Sequence, residues 1–106
     1  ITAGTAKVTF RMPWSVLIRT VRASLTSGQS SGSLFTVDIK VSGVTMLTTK
    51  LTIDNGETTS YTAAATHVMT TSEVKILEDE EVSIDVVAVG AGSPKGLKVT
   101  FLGYRQ

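Results

Sequence analysis

Few side chains in this chain could do chemistry. The single histidine, His67, lies in an ATHVM segment, and the chain has no cysteine. A lone imidazole with neither a thiolate nor a motif-held carboxylate beside it reads as structural, not as a metal ligand or general base. The run Glu78-Asp79-Glu80-Glu81 suggests calcium, but cation loops aim alternate residues at a common centre. Four consecutive acids point apart and stay hydrated. Asp38 and Asp85 alternate with apolar neighbours, so they are expected on solvent-facing strand positions, paired with Lys40, Lys98 or Arg22. Glycosidase chemistry needs two acids held across a cleft at a defined separation, and nothing in the spacing indicates one. Gly90-x-Gly92 is expected in a hairpin loop, where no helix dipole can hold a phosphate. A nucleophile elbow, a phosphate loop and a dinucleotide fingerprint are all missing from the sequence. The expectation is a protein that is not an enzyme, with no catalytic residues, cofactor or metal.

Aromatic residues could instead serve recognition. Trp14 follows Pro13, and Tyr61 lies in a polar segment, so either ring could stack on a sugar. A single tryptophan at a strand start more often caps the end of a core, and that is the expectation for Trp14. Tyr104-Arg105 combines two residue types enriched at interfaces and is read as a packing or subunit contact.

Whatever positions these residues is built from strands. Seventeen of the 106 residues are threonine, and Thr and Val are stiff at χ1 and suit a pleated surface. That length supports one domain with a single core. Ten basic and nine acidic residues leave a net charge of +1, which gives nucleic-acid binding or electrostatic membrane binding no compositional support. Apolar runs are only a few residues long, too short to span a bilayer. The absence of cysteine suits an intracellular or virion-assembled protein. No charged and apolar leader follows Ile1, so its start does not read as a signal peptide.

Alternation places the elements. Ala6, Val8, Phe10 and Met12 alternate with Lys7, Thr9 and Arg11, predicting a half-buried strand over Thr5 to Met12 that Pro13 ends. Trp14 to Leu25 follows, with a change of phase near Leu17-Ile18-Arg19 that reads as a bulge or a strand switching sheets. Thr26 to Ser33 is a polar loop. Phe35 to Val41 is a strand, Ser42-Gly43 a two-residue hairpin turn, Val44 to Ile53 the return strand, and Asp54-Asn55-Gly56 the next turn. Thr58 to Ala65 reads as a short strand or as a helical turn with a Thr-Thr-Ser cap. Short strands are expected at Val68–Thr71 and Val74–Leu77, with Glu78–Glu81 as a solvated turn. Val82, Ile84 and Val86 form the next strand face. Gly90 to Gly96 is a loop, and the last strand to Arg105 points Leu97, Val99 and Phe101 inward. The fold class that follows is all-β: a two-sheet antiparallel β-sandwich, jelly-roll-like, of about seven to eight strands.

Three blocks carry a resemblance: FRMPWSVLIRTVRASLTSG, FTVDIKVSGVTMLTTKLTIDNGETTS and the terminal GLKVTFLGYR. In this order they resemble a domain that recurs in bacteriophage structural proteins. Its pattern is an FRMP strand, a VRAS segment, a V-D-I-x-x-x-G hairpin, a T-K-L-x-I-D turn and a closing G-L-K-V strand ending in G-x-R. The match runs from Thr5 to Arg105 and departs from the pattern at Glu78–Glu81 and Ser93-Pro94-Lys95. The resemblance implies the C-terminal β-domain of a longer fibre or virion-surface polypeptide, with no catalytic residues to carry over.

That resemblance sets the functional expectation: a structural protein of the virion, assembled in the host cytoplasm, as a capsid-decorating or tail-fibre domain. It would work by oligomeric assembly, with a homotrimer favoured, and by packing on other virion proteins. Leu17, Val87 and Leu102 interrupt the polar phase of their strands, and with Tyr104 and Arg105 they are the candidate subunit contacts. The alternative is a receptor- or carbohydrate-binding module at a fibre tip, its loops Thr26–Ser33 and Gly90–Gly96 meeting a host surface glycan. No nucleic-acid or membrane partner is expected.

Overall fold

Val, Ile and Thr alternate with polar residues through most of the chain, and the computed structural model, which describes residues 1–105, folds them into ten strands. They form an antiparallel β-sandwich. The first sheet orders β1 (Gly4–Arg11), β9 (Glu81–Ala88) and β3 (Phe35–Val41), and β3 then pairs with both β4 (Val44–Thr45) and β6 (Leu51–Ile53). The second sheet orders β10 (Lys98–Arg105), β2 (Val16–Ser24) and β8 (Val74–Ile76). A small ribbon joins β5 (Leu47–Thr49) to β7 (Val68–Met69).

Alternation decides which residues meet between the sheets. Phe35, Val37 and Ile39 of β3 and Val82, Ile84 and Val86 of β9 face Ile18, Val21 and Ala23 of β2, all buried. Burying each large aliphatic or aromatic side chain contributes roughly 1.5–3 kcal/mol, and β2, β3 and β9 together supply ten of the 17 buried apolar side chains among the described residues. Ser42 and Gly43 both have positive φ, 51° and 82°, and Val41 pairs with Val44 across them. That is the primed two-residue turn whose twist matches the strands it joins.

The expected phase change in β2 is a bulge. Thr20 pairs with Leu102 and Ile18 with Gly103, which leaves Arg19 as the extra residue. The buried face therefore moves from Val16 and Ile18 to Val21 and Ala23. A Cβ at position 103 would collide with the Leu17 carbonyl oxygen, so the close approach of β10 to β2 requires glycine there. Between Thr58 and Ala65 the chain makes a 3-10 turn, Ser60–Thr62, whose Thr59 hydroxyl accepts from the Tyr61 N–H at 3.1 Å.

Two expected strands differ. The return strand from Val44 to Ile53 is broken into β4, β5 and β6, because its middle leaves β3 to pair with β7. The Thr45 hydroxyl takes over there, accepting from the Leu47 N–H at 3.1 Å. β1 is not half-buried: it is an edge strand, exposed along almost its whole length. Its register jumps from Gly4↔Val86 to Val8↔Ile84, so Thr5, Ala6 and Lys7 stand against Asp85 alone. Ala6 takes a φ of 50° in this bulge, which removes it from the alternating set.

Candidate functional site

The sandwich is open along one side. β1 ends the first sheet, β10 ends the second, and among the described residues neither has a further strand on its outer edge. They run in the same direction along a shared groove. Val8 lies with Leu97 and Val99 at one end, Phe10 meets Phe101 edge-to-face at 6.0 Å in the middle, and Trp14 lies under Arg105 at the other end, 4.8 Å from guanidinium to ring centre.

The groove is apolar in composition and incompletely covered. Two cavities of about 190 and 440 Å³ flank the Phe10–Phe101 pair. Val8 is 56 % and Trp14 44 % exposed, so Trp14 does not cap the core as expected. It projects from the outer side of the four-residue Met12–Ser15 connection between β1 and β2, and Arg105 covers part of one face. A neighbouring run of exposed apolar side chains between two unpaired strand edges is what a sandwich must protect from indiscriminate pairing.

The candidate subunit contacts divide between the sheets. Leu17 and Tyr104 are cross-strand partners, and Leu102 and Arg105 lie on the same strand as Tyr104. Leu102, Tyr104 and Arg105 are exposed and Leu17 half-buried. The Tyr104 hydroxyl donates to Glu73 Oε2 at 2.9 Å, and this bond holds the phenol above its ordinary pKa. Val87 is exposed on β9, in the first sheet.

Asp38 and Asp85 are not solvent-facing. They pair directly across β3 and β9, and both are buried. Asp85 accepts from the Ala6 N–H at 2.7 Å and pairs with Lys40 at 2.9 Å; the backbone bond and then the lysine hold its carboxyl below the usual range despite burial. Asp38 accepts from the Thr45 hydroxyl and lies 3.7 Å from Lys50. Lys40 is thus the partner that the sequence suggested, whereas Lys98 and Arg22 lie on the other sheet, and Lys50 was missed. The β1 bulge and the Thr45–Lys50 crossing bury the pair. With each carboxylate engaged by a cation and by hydrogen bonds, the pair acts as a structural clamp. Among the described residues no group of three metal-ligating side chains converges; of the acidic run, Glu78 and Asp79 form a turn, Glu80 accepts from the Leu77 N–H at 2.7 Å, and Glu81 already opens β9.

At one end of the sandwich the two glycine-rich loops are joined. Ser27 bridges Lys95 and Ser31 bridges Ala91. Gln29, fully buried in this polar setting, donates from Nε2 to Ser33 O at 2.6 Å and Asn55 Oδ1 at 2.7 Å, and its Oε1 accepts from the Gly90 N–H at 2.8 Å. Sequence reasoning missed Gln29, because its partners come from three separate turns. Neither loop carries an aromatic ring.

The second candidate recognition surface is on the outer side of the second sheet. Arg22 of β2 lies over the Tyr61 ring at 4.5 Å. Beside them is a cavity of about 190 Å³ lined by Thr20, Ser60, Thr66 and His67. His67 Nε2 is 3.0 Å from the Thr20 hydroxyl oxygen, and burial pushes its pKa down.

Comparison with protein-family models, curated proteins and solved structures finds no match to this chain. No helix among the described residues is long and apolar enough to cross a membrane.

Proposed function

We propose that this domain is a structural part of a bacteriophage virion, a capsid-decorating or fibre domain that works by oligomeric assembly, with a trimer favoured. The observation that carries this reading is the open seam between β1 and β10, where Val8, Phe10, Trp14 and Phe101 lack a complete cover. A domain of this size gains stability by burying such a surface against a neighbour. The three sequence blocks that resemble phage structural proteins lend the virion setting. Sedimentation at micromolar concentration tests it: the native chain forms a stable oligomer, and Val8→Glu, which charges an exposed groove position, dissociates it. A native chain that stays monomeric and binds no phage particles overturns the proposal.

A second reading, a carbohydrate-binding module at a fibre tip, has its own favouring observation. The Tyr61 ring, one of the two that the sequence offers for stacking on a sugar, lies under Arg22 and beside a cavity with hydroxyl groups, and sugar recognition uses an aromatic face flanked by hydrogen-bonding groups.

A further inference from the structure

Four observations converge on the outer face of the second sheet. Tyr61 is 72 % exposed, so its ring is available even with Arg22 over it. Among the described residues the Arg22 guanidinium forms no ion pair with a carboxylate. Among the described residues no acid lines the adjoining cavity, and Glu57, on the chain just before the 3-10 turn, is engaged by the Thr62 hydroxyl. Besides Arg22, its polar lining is the hydroxyl and imidazole groups of Thr20, Ser60, Thr66 and His67, with the Ser60 oxygen already accepting from the Ala23 N–H at 2.9 Å.

Stacking on a ring pre-organises a guanidinium while leaving its N–H edge free, and that edge matches a carboxylate with two parallel hydrogen bonds. The Tyr61 ring offers an apolar face to C–H groups. The neighbouring hydroxyls suit a polyhydroxylated ligand, and a cavity of this size holds a single ring and not a large ligand. We infer that the Arg22–Tyr61–His67 cavity binds a carboxylate-bearing sugar residue, such as a uronic or sialic acid unit of a surface polysaccharide. The inference rests on the carbohydrate-binding reading and narrows it to acidic sugars. Arg22 binds the carboxylate, Tyr61 carries the ring, and Thr20 holds His67 in place beside them. A second cavity, of about 410 Å³, also reaches His67 and is bordered by Arg19 and Thr70, which gives a polymer room to continue past the first unit.

The site is tested by titrating the intact 15N-labelled chain with glucuronate oligosaccharides, N-acetylneuraminate, a neutral galactose oligomer and sodium acetate. Expected is saturable movement of the Arg22 Nε–H and the Tyr61 and His67 signals with the acidic sugars, at least about tenfold weaker binding of the neutral oligomer, and a similar loss for acetate. Arg22→Gln and Tyr61→Ala each abolish the effect, while their unchanged amide spectra elsewhere show that the fold is intact. Equal binding of acidic and neutral sugars overturns the inference but keeps the carbohydrate reading. No shift with any sugar at tens of millimolar overturns both. Acetate saturating the same signals as tightly as the sugars reduces the cavity to a simple anion site and likewise overturns the inference.

Discussion

Asp38 of β3 and Asp85 of β9 stand directly opposite one another in the first sheet, and both are buried. Like charges at opposed positions normally weaken a ladder. Here Lys40 and Lys50 offset the repulsion, one for each acid, and the Ala6 N–H adds a charge-assisted bond to Asp85. The clamp ties the bulge of β1 to the centre of the sheet, and so holds one wall of the open groove.

Replacing Asp85 with asparagine is expected to lower stability by about 2–4 kcal/mol at neutral pH, because Lys40 loses its partner and the Ala6 N–H loses a charged acceptor. The pH dependence has a definite sign. The folded carboxyl titrates below its ordinary value of 3.8, so its contribution is fully present above that value and is lost as pH falls through the lower, folded value. Urea denaturation of both proteins checks this. The gap between them should stay constant from pH 7 to about 5 and close below about 4. A gap that does not change at low pH would mean that the side chain acts by packing alone.

Local alternation explains how much of this was legible. β3, the Ser42-Gly43 turn, β9 and the inward residues of β10 follow from patterns a few residues long. The burial of Asp38 and Asp85 does not, because it depends on β1 bulging across them and on Thr45–Lys50 leaving the sheet. Nor does the exposure of β1. Its Val8-Phe10-Met12 alternation is that of a half-buried strand, and only the strand order makes it an edge. The exposure of Trp14 is hidden for the same reason, since no local pattern says whether a groove has a cover. Gln29 gave no local signal at all. Its side-chain partners Asn55 and Gly90 lie 26 and 61 residues away.

Gln29→Ala is expected to destabilise the domain by about 2–4 kcal/mol, since it leaves the Gly90 N–H and the Ser33 carbonyl without their buried partner. Thermal unfolding reads the total. Hydrogen exchange locates it, with faster exchange at Gly90 and Ala91 and in the Asp54–Glu57 turn than in β2. If exchange rises equally in β2, the loss is global and Gln29 is not a local tie between loops.

Trp14 provides the most direct report on the groove. It is the sole tryptophan, so the intrinsic fluorescence of the chain reads one position. In the single chain it is 44 % exposed, with Arg105 over its ring, and its emission should be that of a partly hydrated indole. Assembly through the seam removes water from the ring, so the emission maximum should move to shorter wavelength with the same concentration dependence as sedimentation. Val8→Glu should abolish both changes together. Oligomers that form with no change at Trp14 would place the contact elsewhere, for instance around Val87 on the first sheet, and leave the groove between β1 and β10 uncovered. The two signals moving together would instead fix the seam as the surface through which this small sandwich completes its core.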